Sequence, residues 1–176
     1  MFTLGASSDL FLLLRIAGSD AKAALGIIPW LWIGLHIVKA LSNLGGGWVS
    51  DRLGARPTLV LGWSLYGACY VAFGLVQSHT AILVLIMIYG LYYGLTEGPE
   101  KALVARLSAA GHKAEAFGWY HLIVGLGVLP ANLLFGWLYD RVSPQAAFFT
   151  SAGFAFAGLT LLVIWRTPIK IARLAR

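Results

Sequence analysis

The sequence predicts an all-α fold of the polytopic membrane class, a single bundle of six transmembrane helices. Of its 176 residues, 59% are hydrophobic and only 11% are charged, whereas about a quarter are charged in an average soluble domain. Long stretches without a charged side chain alternate with short polar connections. Crossing about 30 Å of hydrocarbon takes roughly 20 helical residues. We therefore predict helices near residues 2–17, 23–44, 57–77, 80–103, 115–138 and 144–166.

The first predicted helix is too short for a complete span. Only fourteen residues precede Arg15, and Asp9 interrupts them. We expect this helix to be truncated, as in a natural half-length protein or a fragment. A signal peptide is the alternative interpretation of an apolar start, but no basic segment precedes it and no A-x-A-like cleavage site lies ahead of the second helix.

The distribution of lysine and arginine predicts the orientation, because cytoplasmic loops carry the excess of these residues. The connections after the second and fourth helices and the end of the chain are basic, whereas the opposite connections hold only Lys22 and Arg141. We therefore expect an inner-membrane protein with both termini in the cytoplasm. The basic residues on the cytoplasmic side are Arg52, Arg56, Lys101, Arg106, Lys113, Arg166, Lys170, Arg173 and Arg176.

Composition and motifs exclude several function classes. The one cysteine, Cys69, lies in an apolar run and supplies neither a disulfide framework nor a cysteine metal site. The net charge of +6 comes from residues at the edges of apolar stretches, which is not the pattern of a nucleic-acid surface. The four histidines form no metal set, and no H-E-x-x-H, G-x-S-x-G or phosphate-loop motif occurs. We expect no metal, no cofactor, no nucleic-acid partner and no enzymatic activity.

An internal repeat links the two halves of the chain. The segment Gly-Trp-Val-Ser-Asp-Arg at residues 47–52 recurs as Gly-Trp-Leu-Tyr-Asp-Arg at residues 136–141. The first copy closes the predicted second helix and the other closes the fifth, on opposite sides of the membrane. This arrangement is typical of a 3+3 inverted repeat, in which two groups of three helices have opposite orientations.

The residues Gly47-x-x-x-Asp51-Arg52-x-Gly54-x-Arg56 resemble the loop signature of the major facilitator superfamily, with Ala55 in place of the first basic residue of its final pair. Residues 4–15 and 92–103 are similar to the seventh and tenth helices of a poorly characterised prokaryotic branch. The resemblance covers the whole chain. It implies the second bundle of a twelve-helix carrier that moves small solutes by alternating access, with the N-terminal six helices absent.

The resemblance also implies the partners: the lipid bilayer, a small-molecule solute, protons, and either the missing N-terminal six-helix bundle or a second copy of the chain. Two other interpretations stay open, a non-transporting membrane assembly or regulatory subunit and an inactive fragment. The isolated Asp9, His36 and His121 do not form a catalytic set by their spacing.

The loop signature predicts a cytoplasmic gate. Asp51 is an acceptor-only carboxylate that is expected to pair with Arg52 or Arg56 in one state of a carrier and to release them in the other. Gly47 and Gly54 complete the motif. In the alternative interpretation, Asp51 only caps the third helix and the arginines bind anionic headgroups.

Ionisable residues inside the spans are candidates for a proton or substrate cavity, because each costs about 2.5–3.5 kcal/mol at the bilayer centre. Asp9 lies about 12 Å from the outer end of its helix, near the midplane, and no basic residue on that helix lies within one turn. Glu97, near the cytoplasmic interface, is spaced to pair with Lys101. We expect proton coupling through Asp9 or Glu97, and an Asp9→Asn chain that folds normally. Alternatively, Asp9 only bonds to neighbouring serines or amides.

Further candidates for this cavity lie on other helices. His36 and Lys39 share one face of the second helix. Lys39 either extends to the headgroups or lines the cavity, where it reads an anionic solute or pairs with an acid. The remaining candidates are Tyr93 and Glu100 on the fourth helix, and His121 and Asn132 on the fifth.

Glycine spacing predicts where helices approach closely. Gly90, Gly94 and Gly98 form two G-x-x-x-G steps on the fourth helix. The tyrosines at 89, 92 and 93 surround this stripe and either line a solute path or fill the core. Pro130 is expected to kink the fifth helix.

Overall fold

The structure of the protein is a computed structural model that describes residues 2–6, 8–17 and 21–164, with the side chains of residues 17 and 21–25 outside the description. Every regular element in these ranges is an α-helix, so the all-α class is confirmed. Five helices, α3 to α7, are long and apolar enough to cross a membrane. The helices are α1 Phe2–Gly5, α2 Asp9–Ala17, α3 Ala21–Leu53, α4 Ala55–Leu75, α5 His79–Leu107, α6 Lys113–Arg141 and α7 Pro144–Ile164.

The first predicted helix, 2–17, is divided into α1 and α2, and the prediction of one continuous segment was wrong. Ala6 and Ser8 are not helical. The hydroxyl of Ser8 accepts the Leu10 N–H at 3.3 Å, as an N-cap does. Serine side chains compete with the helical backbone in this way, and the acidic Asp9 favours a new helix start.

The second predicted helix, 23–44, ends nine residues too early, because α3 continues to Leu53. Gly47, Asp51 and Arg52 are therefore helical, and the predicted loop is reduced to Gly54, whose φ is 90°. The run of glycines at 45–47 weakens a helix by only about 1 kcal/mol per residue. Packing of Gly46 against α5 offsets that loss, since the two backbones touch there.

The other helices differ from prediction by a few residues at their ends. Helix α4 begins at Ala55 instead of 57, α5 continues to Leu107, and α6 begins at Lys113 and ends at Arg141. Helix α6 runs through Pro130 without interruption. Charged residues at a helix end lie beyond the hydrocarbon, so the end of an apolar stretch marks the end of the span and not that of the helix.

Two ends of the bundle can be defined by its connections. At the Gly54 end, the single residue Gly54 joins α3 to α4 and residues 108–112 join α5 to α6. At the Ser78 end, residues 76–78 join α4 to α5 and residues 142–143 join α6 to α7. The Arg15 guanidinium of α2 donates to the Val76 carbonyl oxygen at 3.0 Å, which ties α2 to the Ser78 end.

The core is aromatic and centres on α4. Tyr66 and Tyr70 are fully buried, with ring centroids 4.2 Å apart. Tyr70 meets Phe148 of α7 at 5.6 Å and Tyr89 of α5 at 6.0 Å. Tyr89 is also fully buried, so of the two alternatives for the tyrosines of α5 it fills the core.

Helices α3 and α6 bury little of their surface: only 6% and 11% of their most apolar segments lie inside the bundle. Their outward faces are rich in large apolar side chains. In a membrane such faces contact lipid or other helices. The most exposed of these residues are Trp30, Leu41, Leu44, Trp48, Trp119, Ile123, Leu126, Leu129, Leu133 and Trp137.

Helices α3 and α5 touch through the predicted glycine stripe. A methyl group on Gly46 would overlap the carbonyl of Gly94, and one on Gly94 would overlap the carbonyl of Ser42. The Ser42 hydroxyl also accepts the Gly94 N–H at 3.2 Å and donates to the Gly90 carbonyl at 3.2 Å. Among the described residues, no atom lies within 4 Å of the position that a methyl group on Gly98 would take, so only the first G-x-x-x-G step serves this contact.

Candidate functional site

The break in the first helix places Asp9 at the centre of a polar cluster. Its carboxylate forms an ion pair with Lys39 of α3. The hydroxyl of Tyr89 donates to Oδ1 at 2.8 Å, and that of Tyr93 lies 3.1 Å from Oδ1 and 3.3 Å from Oδ2. We call Asp9, Lys39, Tyr89 and Tyr93 the Asp9 cluster. It joins α2 to α3 and α5.

Lys39 has two partners in this cluster. Its ammonium group binds Asp9 and lies 3.7 Å from the centroid of the Tyr93 ring. The two charged side chains are only 13% and 12% exposed. Lys39 therefore does not extend to the headgroups. It adopts the other arrangement considered, pairing with an acid. No basic partner was expected for Asp9 on its own helix, and the cation comes from α3.

The backbone around the break is held by side chains from α4 and α6. Tyr66 donates to the Gly5 carbonyl at 2.7 Å, which satisfies the end of α1. The side-chain oxygen of Asn132 accepts the Ser8 N–H at 2.7 Å, and its amide nitrogen donates to the Val128 carbonyl at 2.9 Å. Free backbone N–H and C=O groups at membrane depth need such partners because hydrocarbon contains no water that could bond to them. Asn132 thus supports the segment that carries Asp9.

The two glutamates of α5 have different surroundings. Glu97 is half exposed and pairs with Lys101 at 2.8 Å, and Asn43 donates to it at 3.4 Å. Glu100 is half-buried and accepts hydrogen bonds from two neutral donors, the Tyr120 hydroxyl at 2.7 Å and the Trp63 indole N–H at 3.3 Å. Sequence reasoning did not find Trp63 or Tyr120, because they lie 37 and 20 residues away on other helices.

A cavity of about 1000 Å³ lies beside Glu100. We call it the Glu100 cavity. Tyr93 lines it and also belongs to the Asp9 cluster, so the two features adjoin. Apart from Glu97 and Glu100, its lining is mainly aromatic and aliphatic, and it draws on α1 and on α4 to α7. The polar and aromatic lining residues are Phe2, Thr3, Trp63, Tyr92, Tyr93, Thr96, Glu97, Glu100 and Tyr120.

Neither candidate histidine belongs to the Asp9 cluster or lines the Glu100 cavity. His36 is exposed, with its Nδ1 atom 2.9 Å from the Trp32 carbonyl oxygen. His121 is exposed beside the rings of Phe117 and Tyr120. In the part of the chain that the structure describes, neither contacts Asp9, and no group of three His, Cys, Asp or Glu side chains could hold a metal ion.

The residues of the loop signature are placed at the Gly54 end, but the predicted pairs are not formed there. Within the described ranges, Asp51 is exposed and forms no ion pair with Arg52 or Arg56, and no side chain caps the start of α4. Arg52 stacks over the Trp48 ring at 3.7 Å. Arg56 donates to the carbonyls of Leu162 and Val163 at 2.6 and 3.2 Å, which ties α4 to the end of α7. The basic residues predicted at positions 166–176 and the side chain of Lys22 lie outside the described residues.

Comparison with known proteins identifies the family. Residues 2–175 match the protein family described as the Major Facilitator Superfamily. The chain belongs to the Major Facilitator Superfamily. An uncharacterised transporter of this superfamily from Methanocaldococcus jannaschii is 34% identical over 169 residues, which are 93% of this chain and 42% of that protein.

Two further superfamily relatives have names that describe a function. The tetracenomycin C resistance and export protein of Streptomyces glaucescens is 26% identical over 154 residues, 88% of this chain and 29% of the relative. A multidrug resistance protein of Cronobacter sakazakii is 26% identical over 133 residues, 74% of this chain and 33% of the relative. This superfamily member therefore spans less than half the length of these curated relatives. They are named as transport or resistance proteins and not as enzymes.

Proposed function

We propose that this chain is the second six-helix bundle of a proton-coupled carrier that moves a small solute by alternating access. Membership of the superfamily supports the carrier function. The broken first helix supports alternating access, because discontinuous helices near the midplane carry the binding groups in many secondary transporters. Asp9, His36, Lys39, Tyr93, Glu97, Glu100, His121 and Asn132 remain the residues proposed for the proton or substrate path.

The Asp9 cluster is the observation that carries the proton coupling. A carboxylate of α2 holds a cation of α3 and two hydroxyls of α5. Protonation of Asp9 removes the charge that holds Lys39, so the contacts of α2 with the rest of the bundle depend on the proton. A ligand shifts a conformational equilibrium only through such differential contacts. Intramembrane acids with a named partner mark proton relays in transporters for the same reason.

Glu97 is the weaker of the two coupling candidates. Its main partner, Lys101, lies one turn away on the same helix. Protonation of Glu97 would therefore change a contact within α5, whereas protonation of Asp9 changes contacts between helices. The only described bond from Glu97 to another helix is the 3.4 Å contact with Asn43 of α3.

The other bundle of the carrier would cover the exposed apolar faces of α3 and α6. We propose that this partner is an N-terminal six-helix bundle or a second copy of the chain, in an inner membrane and with both termini in the cytoplasm. The residues Gly47, Asp51, Arg52, Gly54 and Arg56 are then proposed to gate the Gly54 end. The bonds of Arg56 to α7 support a role in fixing the helices at that end.

Infrared spectroscopy tests the coupling role of Asp9 without a known substrate. The purified chain in lipid is compared at acid and at neutral pH, and the carbonyl signal of a protonated carboxyl group is recorded. We expect Asp9→Asn to remove one resolved carbonyl band from the acid-minus-neutral difference spectrum, and Glu97→Gln, the matched control on the other candidate, to leave that band in place. A signal lost only in Glu97→Gln would transfer the coupling role to Glu97, and one unchanged in both variants would remove proton coupling from the proposal.

A further inference from the structure

The Glu100 cavity contains a charge that the Asp9 cluster does not use. Glu100 accepts bonds from Tyr120 at 2.7 Å and from Trp63 at 3.3 Å, so both carboxylate oxygens have a donor. Both donors are neutral and satisfy hydrogen bonding without neutralising the carboxylate. Among the described residues, Glu100 forms no ion pair within 4.0 Å. A carboxylate in apolar surroundings is costly unless a cation accompanies it.

The described residues that line the cavity supply no cation for this charge. Glu97, the other acid in the cavity, has its own partner in Lys101. No lysine or arginine occurs among the described residues that line the cavity. An anionic solute would therefore meet two carboxylates at close range, and a neutral solute would leave Glu100 without a counter-charge.

The remaining surface suits an apolar body. Aromatic residues from four helices line the cavity: Phe2 of α1, Trp63 of α4, Tyr92 and Tyr93 of α5, and Tyr120 of α6. Aromatic faces attract cations, and their area favours apolar ligands. Leucine and valine side chains of α4 to α7 complete the wall. The volume of about 1000 Å³ is large enough for a drug-sized molecule.

We propose that the Glu100 cavity binds a lipophilic organic cation with a single positive charge. The charged centre lies at Glu100, and the apolar body lies against the aromatic and aliphatic wall. Trp63 and Tyr120 hold the carboxylate in place from α4 and α6. This inference rests on the proposed carrier function and names the substrate class, but equilibrium binding tests it without any transport.

Two probes of the same shape and opposite charge provide the test. Tetraphenylphosphonium and tetraphenylborate are both lipophilic, so apolar contacts contribute to the binding of both. A difference between their affinities therefore reports the charge of the site. Binding of each to the purified full chain in detergent is measured by equilibrium dialysis, with empty micelles as the blank. We expect tetraphenylphosphonium to bind at least roughly tenfold more tightly than tetraphenylborate, because the carboxylate attracts one and repels the other.

Glu100→Gln and Glu115→Gln are the matched variants. Glu100→Gln keeps the size and an acceptor oxygen but removes the charge, and we expect the affinity for tetraphenylphosphonium to fall at least roughly tenfold. Glu115→Gln removes the same charge from an exposed site in the first turn of α6, outside the cavity, and we expect no change. Size-exclusion chromatography and circular dichroism establish that each variant is folded.

Either of two results would overturn the proposal: equal affinity of the unchanged chain for the two probes, or tetraphenylphosphonium binding that Glu100→Gln leaves intact. The comparison of probes uses the unchanged chain, so it decides the question even where Glu100→Gln does not fold. Charge-selective binding, together with an infrared carboxyl signal that Asp9→Asn leaves unchanged, would contradict the coupling mechanism and keep the cation site. The reverse pattern would keep the coupling mechanism and reject the site.

Discussion

Asp9 and Lys39 form a largely buried ion pair. Both side chains are almost 90% buried, with exposures of 12% and 13%, and each is the charge partner of the other. Removing one member of such a pair leaves an unpaired charge in an apolar region, which typically costs about 3–5 kcal/mol. The expectation that Asp9→Asn would fold normally is therefore revised.

Asp9→Asn and Lys39→Met are each predicted to lower the free energy of unfolding by about 3 kcal/mol, because each leaves a buried charge unpaired. The double variant is predicted to recover most of that loss, since it removes both charges. Denaturation of the purified chain in mixed micelles, followed by circular dichroism, measures these differences. Glu97→Gln breaks the exposed pair with Lys101 and serves as control, with an expected loss below about 1 kcal/mol. Additive losses in the double variant would contradict a coupled pair.

At the residue scale, the sequence predicted which residues belong to the site better than it predicted the contacts between them. Asp9, Lys39 and Tyr93 stood out because charged or polar side chains inside an apolar span are costly or functional. Their meeting depends on how α2, α3 and α5 pack, and spacing along the chain carries no information about contacts between residues 30 or 84 positions apart. His36 was a candidate because it shares a helix face with Lys39, and His121 because it lies within the fifth predicted span. Each lies on an exposed helix face.

Among the helices, α3 and α5 form the closest contact because each has a glycine where the two helices cross. Gly46 and Gly94 meet without a side chain between them. Gly94→Ala is predicted to destabilise the bundle by about 1–3 kcal/mol, the usual cost of overpacking. Gly98→Ala, one turn further along the same helix, has open space and is predicted to be neutral or slightly stabilising. Unfolding in mixed micelles distinguishes the two, and equal effects would contradict the crossing.

The break in the first helix is predicted to depend on Asn132. Asn132→Ala removes the acceptor of the Ser8 N–H, and an unsatisfied buried donor costs about 1–3 kcal/mol. Hydrogen exchange of the amides in α2 should accelerate, because the start of that helix loses its anchor. Asn43→Ala, which removes only a 3.4 Å contact to the exposed Glu97, is the control with no expected change. Unchanged exchange in α2 after Asn132→Ala would show that the break is held by other groups.

The ends of the elements were the least predictable part of the fold. Hydropathy placed the spans, but the extension of α3 to Leu53 depends on the Gly46 contact with α5, which no local pattern reveals. The first helix was expected to be short because of Asp9. Its division needed the acceptor on Asn132 and the donor on Tyr66, both from distant segments.

The orientation of the whole bundle is predicted from lysine and arginine counts and can be measured by cysteine labelling. Gly54 and Gly111 have positive φ values, so neighbouring exposed positions are preferable. Cysteines at Leu53 and Ala110 should react with a membrane-impermeant maleimide only from the cytoplasmic side, and one at Ser78 only from outside. The unchanged chain is the control, since its Cys69 is buried. Labelling of position 53 from outside would reverse the orientation.

The chain on its own is predicted not to transport, because alternating access requires a second bundle to move against. Purified chain in vesicles is expected to bind tetraphenylphosphonium but to show no saturable uptake driven by an imposed pH gradient, with the same vesicles without a gradient as the reference for binding. Crosslinking determines whether the chain is a single copy in these vesicles. Saturable uptake by single copies would contradict the role of half a carrier.

For the whole molecule, the membrane class and the family were predicted from different features of the sequence. The low content of charged residues set the membrane class, and the signature at residues 47–56 carried the family, although the network expected from it is absent among the described residues. The repeated Gly-Trp-x-x-Asp-Arg segments close α3 at the Gly54 end and α6 at the Ser78 end. The Glu100 cavity was not predictable, since five helices are needed to enclose it.

The contact of Gly46 with Gly94 has a consequence for the Asp9 cluster. It holds α3 and α5 together by direct backbone contact, and the three described partners of Asp9 belong to this pair of helices: Lys39 from α3, and Tyr89 and Tyr93 from α5. The carboxylate itself is carried by the separate helix α2. A shift of α2 against this pair of helices therefore breaks its ion pair and both tyrosine bonds together, so the three contacts act as one latch, separate from the bonds of Arg15 and the Ser8 backbone that also hold the segment.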